Sequence, residues 1–288
     1  MNLLQLLLLV LFAILICVGM IKRENKKFKI TTYEVESKKI KEDCTITVLA
    51  DLHNYVYGNH NEQLLQALRK VNPDAVISAG DMIEGYKDST GTGETVRFLK
   101  KLDEEFLFFY GMGNHERKFR TRPELYPKQV EEFERELSKT SIKLLDNETR
   151  KIENKNIKIY GLNLEREYFR KFKLFPVSAA HISELVGKKD ESAFNLLIAH
   201  NPDQFESYVK WGADVVLSGH VHGGMVRIPG IGGVISPQLT LFPKYDGGKY
   251  QKGNTTMILS RGLGNHSIHV RIFNRAELVV LKLKKHLE

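Results

Sequence analysis

Five short polar clusters, each placed directly after a run of apolar residues, constrain this chain more than any other feature. In chain order they are Asp51-Leu52-His53, Gly80-Asp81, Gly113-Asn114-His115-Glu116, His200 and Gly219-His220-Val221-His222. Short apolar runs that end in polar residues are typical of buried strands in an α/β sheet, whose ligands bind at the carboxyl ends of the strands. The pattern therefore predicts a sheet with one functional edge.

The apolar runs before these clusters are predicted strands, and several segments between them are predicted helices. The strands are Thr45–Ala50, Ala75–Ser78, Glu105–Tyr110, Asn195–Ala199 and Val215–Ser218. The helical segments space their apolar residues at Leu64, Leu65, Leu68 and Val71; at Val96, Leu99 and Leu102; and at Val130, Phe133 and Leu137. Strand followed by helix predicts largely parallel pairing, with helices covering the sheet.

Two further patterns complete the prediction of the fold. Residues Arg271 to Lys284 alternate in polarity and predict the closing strands of a second sheet. The segments at 84–94 and 223–254 are rich in Gly, Pro, Ser and Tyr, so we expect them to be loops at the rim of the site.

The N-terminal segment predicts a membrane anchor. Leu3 to Ile21 is almost entirely apolar, and a helix rising about 1.5 Å per residue would span the roughly 30 Å hydrocarbon core. The basic residues follow this run, at Lys22, Arg23, Lys26, Lys27 and Lys29. A cleavable signal peptide has the reverse order, so we expect an uncleaved single-pass helix with its basic flank, and the catalytic domain, in the cytoplasm. A helix buried in a soluble core is the alternative.

This prediction divides the chain into three parts. Residues 1–21 form the anchor, residues 22–43 form a basic tether and a first edge strand around Phe28–Val35, and residues 44–288 form the catalytic domain. The formal net charge of +8 indicates an anionic partner, which could be a phosphate-bearing substrate, lipid head groups or nucleic acid. Cys17 lies in the apolar run and Cys44 at a strand, which excludes a disulfide framework.

The residue types in the five clusters are those of a metal site. Together they supply Asp, His and Asn without cysteine, a donor set that suits Mn, Fe or Zn. Two metals about 4 Å apart are a known device for displacement at phosphorus. Each tripeptide alone is a weak signal, since Gly58-Asn59-His60 and Gly264-Asn265-His266 repeat the same letters elsewhere. The ordered set at strand ends carries the prediction.

With these motifs in this order, the chain resembles the calcineurin-like metallophosphoesterase superfamily. His200-Asn201-Pro202-Asp203, Gly219–Gly224 and Phe273-Asn274-Arg275 are also similar to its bacterial membrane-associated branch. The resemblance implies a mixed α/β, four-layer αββα sandwich with two β-sheets flanked by helices, here preceded by one N-terminal transmembrane helix. It also implies hydrolysis by a hydroxide held between two divalent metal ions.

The resemblance further implies a role for each site residue. One metal is bound by Asp51, His53, Asp81 and His222, and Asp81 bridges to a second metal that Asn114, His200 and His220 complete. His115 is implied to be no ligand but to assist the leaving group as a general acid or charge stabiliser. Glu116 stands where Asp is common in the family, and we expect little effect from this difference.

The expected function is a membrane-anchored phosphoesterase acting on a phosphate ester or a pyrophosphate. Anchoring makes a lipid-linked phosphate an attractive substrate, although the sequence names none. A nuclease of the same superfamily is an alternative, but much of the excess charge lies beside the anchor and at the C-terminus, so we expect no specific nucleic-acid partner. A non-catalytic scaffold is the second alternative. The oligomeric state is left open.

Overall fold

The computed structural model describes residues 2–84, 92–170, 175–236, 240–265 and 270–286. The chain begins with helix α1 (Leu3–Asn25), capped by Asn2, whose side chain accepts a hydrogen bond from the Gln5 backbone N–H at 2.9 Å. The apolar side chains of α1 are exposed, and the helix is long and apolar enough to cross a membrane. A signal sequence near the N-terminus would meet the same criterion.

The first sheet has six strands and carries the N-terminal half of the predicted site. Its order is β1 (Phe28–Ser37), β14 (Ala276–Lys285), β2 (Cys44–Leu49), β3 (Ala75–Ala79), β4 (Phe108–Gly111) and β5 (Lys143–Leu145). All neighbours pair in parallel except β14 and β2, which are antiparallel. Strands β2, β3 and β4 therefore end at the same edge.

The second sheet also has six strands and carries the remaining site residues. Its order is β12 (Gly248–Lys252), β13 (Thr255–Leu259), β9 (Val215–Ser218), β8 (Phe194–Ala199), β7 (Ile157–Leu162) and β6 (Glu148–Ile152). The four inner strands are parallel, and each edge strand is added by an antiparallel pair. Strands β10 (Val226–Ile228) and β11 (Gly232–Ile235) form a separate antiparallel hairpin.

The helices cover the outer faces of the two sheets. They are α2 (Glu62–Val71), α3 (Thr92–Glu105), α4 (Asn114–Thr121), α5 (Pro127–Leu137), α6 (Ala179–Val186) and α7 (Phe205–Trp211). Four 3₁₀ turns lie at Pro123–Leu125, Glu153–Lys155, Arg166–Phe169 and Pro202–Gln204. The predicted apolar faces of the helices pack against the sheets. In α2, for example, Leu64, Leu65 and Leu68 are buried.

Three apolar clusters show the layering. One lies between the sheets and joins residues such as Ile46 and Ile77 of the first to Ile159 and Leu217 of the second. A second packs the first sheet against α2, α3 and α5, and a third packs the second sheet against α6 and α7. The fold is a mixed α/β sandwich of two sheets flanked by helices, as the resemblance implied.

The prediction for the C-terminal stretch was wrong. Residues 276–285 form a single strand, β14, and it lies in the first sheet between β1 and β2. Leu278 faces the helix-covered core while Val279 and Leu281 face the core between the sheets, so both faces are buried. Alternation in sequence reports strand geometry but does not identify the partner strand. The predicted edge strand is confirmed as β1, and most of the predicted loop at 84–94 lies outside the described residues.

Candidate metal centre

The structure brings all eight predicted site residues to one place. The first sheet delivers Asp51, His53, Asp81, Asn114 and His115 from the loops after β2, β3 and β4. The second sheet delivers His200 after β8, and His220 and His222 after β9. Three overlapping groups could each hold a metal ion: Asp51, His53 and His222; His53, Asp81 and His115; and Asp81, His200 and His220.

Distances between the donor atoms are short enough for shared ions. Asp51 Oδ1 lies 3.6 Å from His222 Nε2 and 4.0 Å from His53 Nε2. Asp81 Oδ2 lies 2.9 Å from His200 Nε2 and 3.9 Å from His53 Nε2. Asp51 Oδ1 also lies 3.7 Å from His200 Nε2, so both aspartates are in reach of imidazoles from the two sheets, as a ligand shared between two ions must be.

The loops that carry these residues are held in conformations that L residues rarely adopt. Five of the seven predicted ligands have positive φ: Asp51 at 51°, His53 at 48°, Asp81 at 55°, His220 at 77° and His222 at 53°. Non-glycine residues in this region cost free energy and are concentrated at functional sites. The strain shows that the surrounding structure dictates where these side chains lie.

Glycine is required where the loops approach each other. Gly80 has φ 96°, and a Cβ there would lie 2.6 Å from the backbone nitrogen of Gly113. A Cβ on Gly113 would lie 2.2 Å from Asp81 Oδ1. No other residue permits this contact between the loops after β3 and β4, which explains two of the glycines in the motifs.

Hydrogen bonds to the backbone orient two of the imidazoles. His200 Nδ1 lies 2.7 Å from the Ala79 carbonyl oxygen, and His222 Nδ1 lies 3.2 Å from that of Gly264. A carbonyl oxygen can only accept a hydrogen bond, so Nδ1 of each ring carries the proton. The Nε2 lone pair of the neutral ring is then available to a metal. His222 Nε2 also lies 3.1 Å from His53 Nε2, so these two donor atoms converge on one point.

The donor set fits divalent metal ions. Asp51 Oδ2 and Asn114 Oδ1 are buried and have no hydrogen-bond partner among the described residues, which is costly unless something else binds them. Two carboxylates, an amide oxygen and four imidazoles within one small volume are ligands for Mn, Fe or Zn. The residues therefore fit the metals that the resemblance implied.

The ionisation of the buried groups also indicates a cation site. Burial lowers the pKa of His200, but Asp81 and Asp51 outweigh this effect and raise it to about 10. Burial would raise the pKa of Asp81, yet His200 and His115 hold it well below its usual range. Burial raises the pKa of Asp51 to about 7. Positive charge on the neighbouring imidazoles thus keeps the Asp81 carboxylate ionised. A bound metal ion would take over this role.

Glu116 contributes more than the sequence analysis expected. Its buried carboxylate accepts hydrogen bonds from four backbone N–H groups, those of Asp81, Met82, Ile83 and Gly113, at 2.7–3.2 Å. It also accepts one from the Tyr110 hydroxyl at 2.8 Å. Glu116 therefore joins the Asp81 loop to the Gly113 loop. Glu116 lies three residues after the N-cap Gly113 and accepts from its backbone N–H, which is the Glu half of a capping box and was the available signal.

Arg271 is a second positioning residue, and the sequence analysis missed it. Its fully buried guanidinium donates to the carbonyl oxygens of Arg261, Gly262 and Gly264 at 2.7–3.3 Å and to Asn265 Oδ1 at 2.8 Å. The Gly264 carbonyl is also the acceptor for His222 Nδ1. A lone arginine before a strand carries no pattern that predicts this role.

The repeated tripeptides differ from the site motifs in their surroundings. His60 is exposed and lies 2.6 Å from Glu94 Oε2, as expected of a surface turn. Asn265 is buried against Arg271, and His266 lies outside the described residues. His286 is exposed, and half-buried His181 lies beside Glu184, so neither belongs to the candidate site.

Fold and site together define a class of protein, a two-sheet α/β protein with a buried His/Asp centre able to hold metal ions. The family model described as calcineurin-like phosphoesterase matches residues 44–224. The chain belongs to this calcineurin-like phosphoesterase family. It is accordingly a metal-dependent hydrolase that acts on phosphoric ester bonds.

The chain is also similar to individual proteins. An uncharacterized metallophosphoesterase of Campylobacter jejuni is 26% identical over 290 residues, covering 96% of this chain and 68% of that protein. The uncharacterized protein YpbG of Bacillus subtilis is 26% identical over 267 residues, covering 90% and 88%. Among solved structures, a putative 5′-nucleotidase from Staphylococcus aureus matches with a TM-score of 0.47 and 12% identity, over 77% of this chain and 49% of that one.

Proposed function

We propose that the chain is a two-metal phosphoesterase anchored to a membrane. Asp51, His53, Asp81 and His222 would hold one divalent ion, and Asp81, Asn114, His200 and His220 the other. The observation that carries this proposal is the convergence of three overlapping donor groups from both sheets on Asp81 and His53. When bound, the two ions would supply a water of lowered pKa and neutralise the phosphoryl oxygens.

The role proposed for His115 is to assist the leaving group. His115 lies in the first turn of α4, and its Nε2 is 4.0 Å from Asp81 Oδ2. Its backbone N–H donates to Asp81 Oδ1 at 2.8 Å, which places the ring beside the proposed bridging carboxylate. Its side chain is 15% exposed, unlike the nearly inaccessible His53 and His200, so it can reach a bound substrate. An imidazolium here could protonate the departing oxygen.

Contacts between α1 and the rest of the chain support an uncleaved anchor. Glu24, at the end of α1, forms an ion pair with Arg275 at 2.9 Å. The Tyr55 hydroxyl donates to the Asn25 carbonyl at 2.6 Å, and Asn265 Nδ2 lies 3.1 Å from Asn25 Oδ1. Tyr55 and Asn265 are sequence neighbours of His53 and Gly264. The anchor would therefore hold the metal centre near the membrane, with the basic flank on the cytoplasmic side.

The test is a combined metal and activity measurement on the full chain in detergent. Elemental analysis should find about two equivalents of transition metal per chain. The loaded protein is then assayed against phosphomonoesters, phosphodiesters, lipid-linked pyrophosphates and an oligonucleotide. A folded chain that binds no metal after supplementation would contradict the proposal. Hydrolysis of the oligonucleotide alone would make the chain a nuclease, and no hydrolysis by the loaded protein would favour a scaffold.

A further inference from the structure

A large cavity opens beside the metal centre. It has a volume of about 590 Å³ and begins at Asn114 and His115. Four of the other lining residues belong to α4 or directly follow it: Arg117, Lys118, Thr121 and Arg122. The rest are Arg166 and Phe169 of the 3₁₀ turn and Arg170, which follows the turn. Its size is that of a small-molecule site. A ligand held at the metals would extend into this cavity, because both share Asn114 and His115.

Five cationic side chains and no acidic one line this cavity, which we call the basic cavity. The nearest acidic groups are Glu165 and Glu167, which line a smaller neighbouring cavity together with Arg166 and Arg170. The Glu165 carboxylate lies 3.3 Å from His181 Nε2, so it is engaged away from the basic cavity. The lining therefore has a strong excess of positive charge.

Several of these cations have no carboxylate partner in the described part of the chain. Arg117 donates only to the Asn163 carbonyl at 3.4 Å, and Arg122, Arg166 and Arg170 form no ion pair there. Arg120 lies on α4 next to Thr121 but outside the basic cavity. It pairs with both Glu134 and Asp146. Among the described residues, the outward Arg120 is thus neutralised, and the arginines of the basic cavity are available to a ligand.

Phe169 forms the wall between the two sites. Its ring centroid lies 5.3 Å from that of His220 and 6.5 Å from that of His200. A ligand that reaches from the metal centre into the basic cavity must pass this ring.

We propose that the basic cavity binds a second phosphate group of the substrate while the first lies at the metal centre. Arginine pairs with phosphate through two parallel N–H donors, and several arginines together favour a dianionic group over a carboxylate. The substrate class is then a small molecule with at least two phosphates, such as a nucleoside diphosphate or a sugar bisphosphate. This inference rests on the proposed metal-dependent phosphoesterase.

The test compares two substrate types in one double variant. Arg122→Gln with Arg166→Gln removes two cations, and Arg150→Gln, on β6 of the second sheet, is the matched control. Each protein is assayed with adenosine diphosphate, fructose 1,6-bisphosphate and 4-nitrophenyl phosphate. The double variant should lower the ratio of kcat/KM for the two-phosphate substrates to that for nitrophenyl phosphate by at least about tenfold, since one charged hydrogen bond is worth about that factor. The control should leave this ratio within about twofold.

Binding separates this inference from the proposed activity. Methylenediphosphonate is titrated calorimetrically into the metal-free full chain with EDTA present, and the double variant should bind it at least about tenfold more weakly. If the wild type binds through these arginines but hydrolyses nothing, the inference stands and the proposed function fails. Equal affinity of variant and wild type, or an unchanged kinetic ratio, would overturn the inference. An oligonucleotide is assayed beside these substrates, and a loss confined to its cleavage would assign the basic cavity to a nucleic-acid strand instead.

A second inference comes from a different surface. Five large apolar side chains outside α1 are exposed at the end of β10 and on neighbouring loops: Ile228 (43%), Ile231 (66%), Leu241 (64%), Phe242 (63%) and Phe273 (57%). Backbone hydrogen bonds join these loops, from Phe242 N–H to the Val234 carbonyl at 2.9 Å and from Arg227 N–H to the Ile272 carbonyl at 3.0 Å. We call this group the apolar loop surface. Such a concentration of exposed apolar residues marks an interaction site.

The apolar loop surface is joined to the end of α1. Phe273 precedes Asn274, whose amide donates to the His222 carbonyl at 2.7 Å, and Arg275, which pairs with Glu24 of α1. One tripeptide thus connects an exposed apolar ring, the metal centre and the end of the apolar helix. Basic residues follow at Lys26 and Lys27, as suits a surface beside lipid head groups.

We propose that the apolar loop surface inserts into the same bilayer that holds α1 and fixes the orientation of the metal centre toward it. The apolar side chains would enter the interfacial layer, where Phe, Leu and Ile are favourable. The proposal commits to a lipid surface because Phe273 lies two residues before Arg275, whose ion pair with Glu24 ties this loop to the end of α1. It rests on the proposed anchor.

Fluorescence quenching in vesicles tests this contact. Trp211→Phe removes the single tryptophan, and Phe242→Trp places a new one on the apolar loop surface. Leu107→Trp is the control, since Leu107 is 45% exposed at the amino end of β4, opposite the site. The full chain is reconstituted in phosphatidylglycerol with dibrominated phosphatidylcholine. Bromolipid should quench Trp at position 242 at least about threefold more than at position 107.

Two results would overturn this second inference. Equal quenching at both positions would show no preferred membrane face, and no quenching at position 242 would show that the apolar loop surface stays in water. Extraction with alkaline carbonate reports on α1 separately. If the chain resists extraction but position 242 is not quenched, the anchor stands and the surface contact fails. A chain released by carbonate would contradict the anchor itself.

Discussion

At the scale of single residues, the two aspartates join the loops of the candidate site as well as offering it ligands. Asp51, from the first sheet, accepts a hydrogen bond from the His220 backbone N–H of the second at 2.9 Å. Asp81 accepts one from the His115 backbone N–H at 2.8 Å. Each carboxylate thus has one oxygen bound by a loop of another strand. These bonds orient the loops before any metal arrives, which limits the reorganisation that binding requires.

Asp81→Asn should be the most damaging change among the proposed ligands. Asp81 would contribute to both ions, so replacing its carboxylate by an amide weakens two coordination bonds at once. We expect turnover to fall at least about a hundredfold, with loss of bound metal, since even outer contacts of metal ligands are worth 10–100-fold. Elemental analysis and turnover are measured beside Asp103→Asn, a half-buried carboxylate at the end of α3. Full metal occupancy in Asp81→Asn would contradict the bridging role.

His115→Ala should spare the metals and lower turnover. The expected loss is about 10²–10⁴-fold, the usual contribution of a general acid. It should be smaller for nitrophenyl phosphate, because nitrophenolate leaves without a proton. Metal content and turnover on both substrate types are the measurements. If His115→Ala removes a metal, His115 is a ligand, a result that its place in one donor group would accommodate.

Glu116→Ala should destabilise the fold by about 3 kcal/mol or more. The change leaves four buried backbone N–H groups and the Tyr110 hydroxyl without their acceptor, and each such loss costs about 1–3 kcal/mol before relaxation. Tyr110→Phe removes only one of these five bonds and should cost about 1 kcal/mol. Denaturant unfolding of both variants checks the difference. Equal stabilities would mean that Glu116 is not the centre of this network.

At the scale of secondary-structure elements, β14 decides how the first sheet is completed. It pairs in parallel with β1 over ten residues and antiparallel with β2. The C-terminal strand therefore joins the N-terminal edge strand to the strand that carries Asp51. Because it is covered by helices on one face and by the second sheet on the other, its first six residues are buried.

Leu281→Ala should destabilise the chain by about 2–5 kcal/mol. Leu281 is fully buried between the sheets, so truncation removes apolar contacts and leaves a cavity. Lys285→Ala, at the exposed end of the same strand, should change stability by about 0.5 kcal/mol or less. Denaturant unfolding of the two variants compares them. Equal small losses would show that β14 packs more loosely than its burial indicates.

At the scale of the whole molecule, the proposed orientation in the membrane rests on α1 and its basic flank. Five basic residues follow the apolar run within a short distance, and such residues resist translocation. The contacts of Glu24 and Asn25 with Arg275, Tyr55 and Asn265 then set the rest of the chain close to that flank. The catalytic domain is therefore expected on the cytoplasmic side.

Protease added to intact spheroplasts should leave residues 44–288 undigested. Digestion should occur only after lysis, because the proposed orientation places this part of the chain inside. A cytoplasmic protein and an externally anchored one serve as controls for lysis and for protease activity. Cleavage in intact spheroplasts would place the site outside and direct the search for substrates to the cell envelope.

The sequence alone determined the class of fold and predicted which residues gather at the candidate site. Polar residues after apolar runs report strand ends directly, because the carboxyl ends of parallel strands share one edge. This local rule located Asp51, Asp81, Asn114 and the histidines, and helical spacing located the helix faces. Both signals depend only on residues close together in the chain.

Tertiary structure alone decided what depends on distant pairing. The place of β14 in the first sheet, the network around Glu116 and the burial of Arg271 all join segments far apart in sequence. The basic cavity likewise forms only when α4 meets the turn at Arg166–Phe169. Periodicity does not identify the segment that a strand or a charged side chain contacts, because the local sequence pattern is the same whichever segment that is. Packing of the two sheets, and not any motif, sets these contacts.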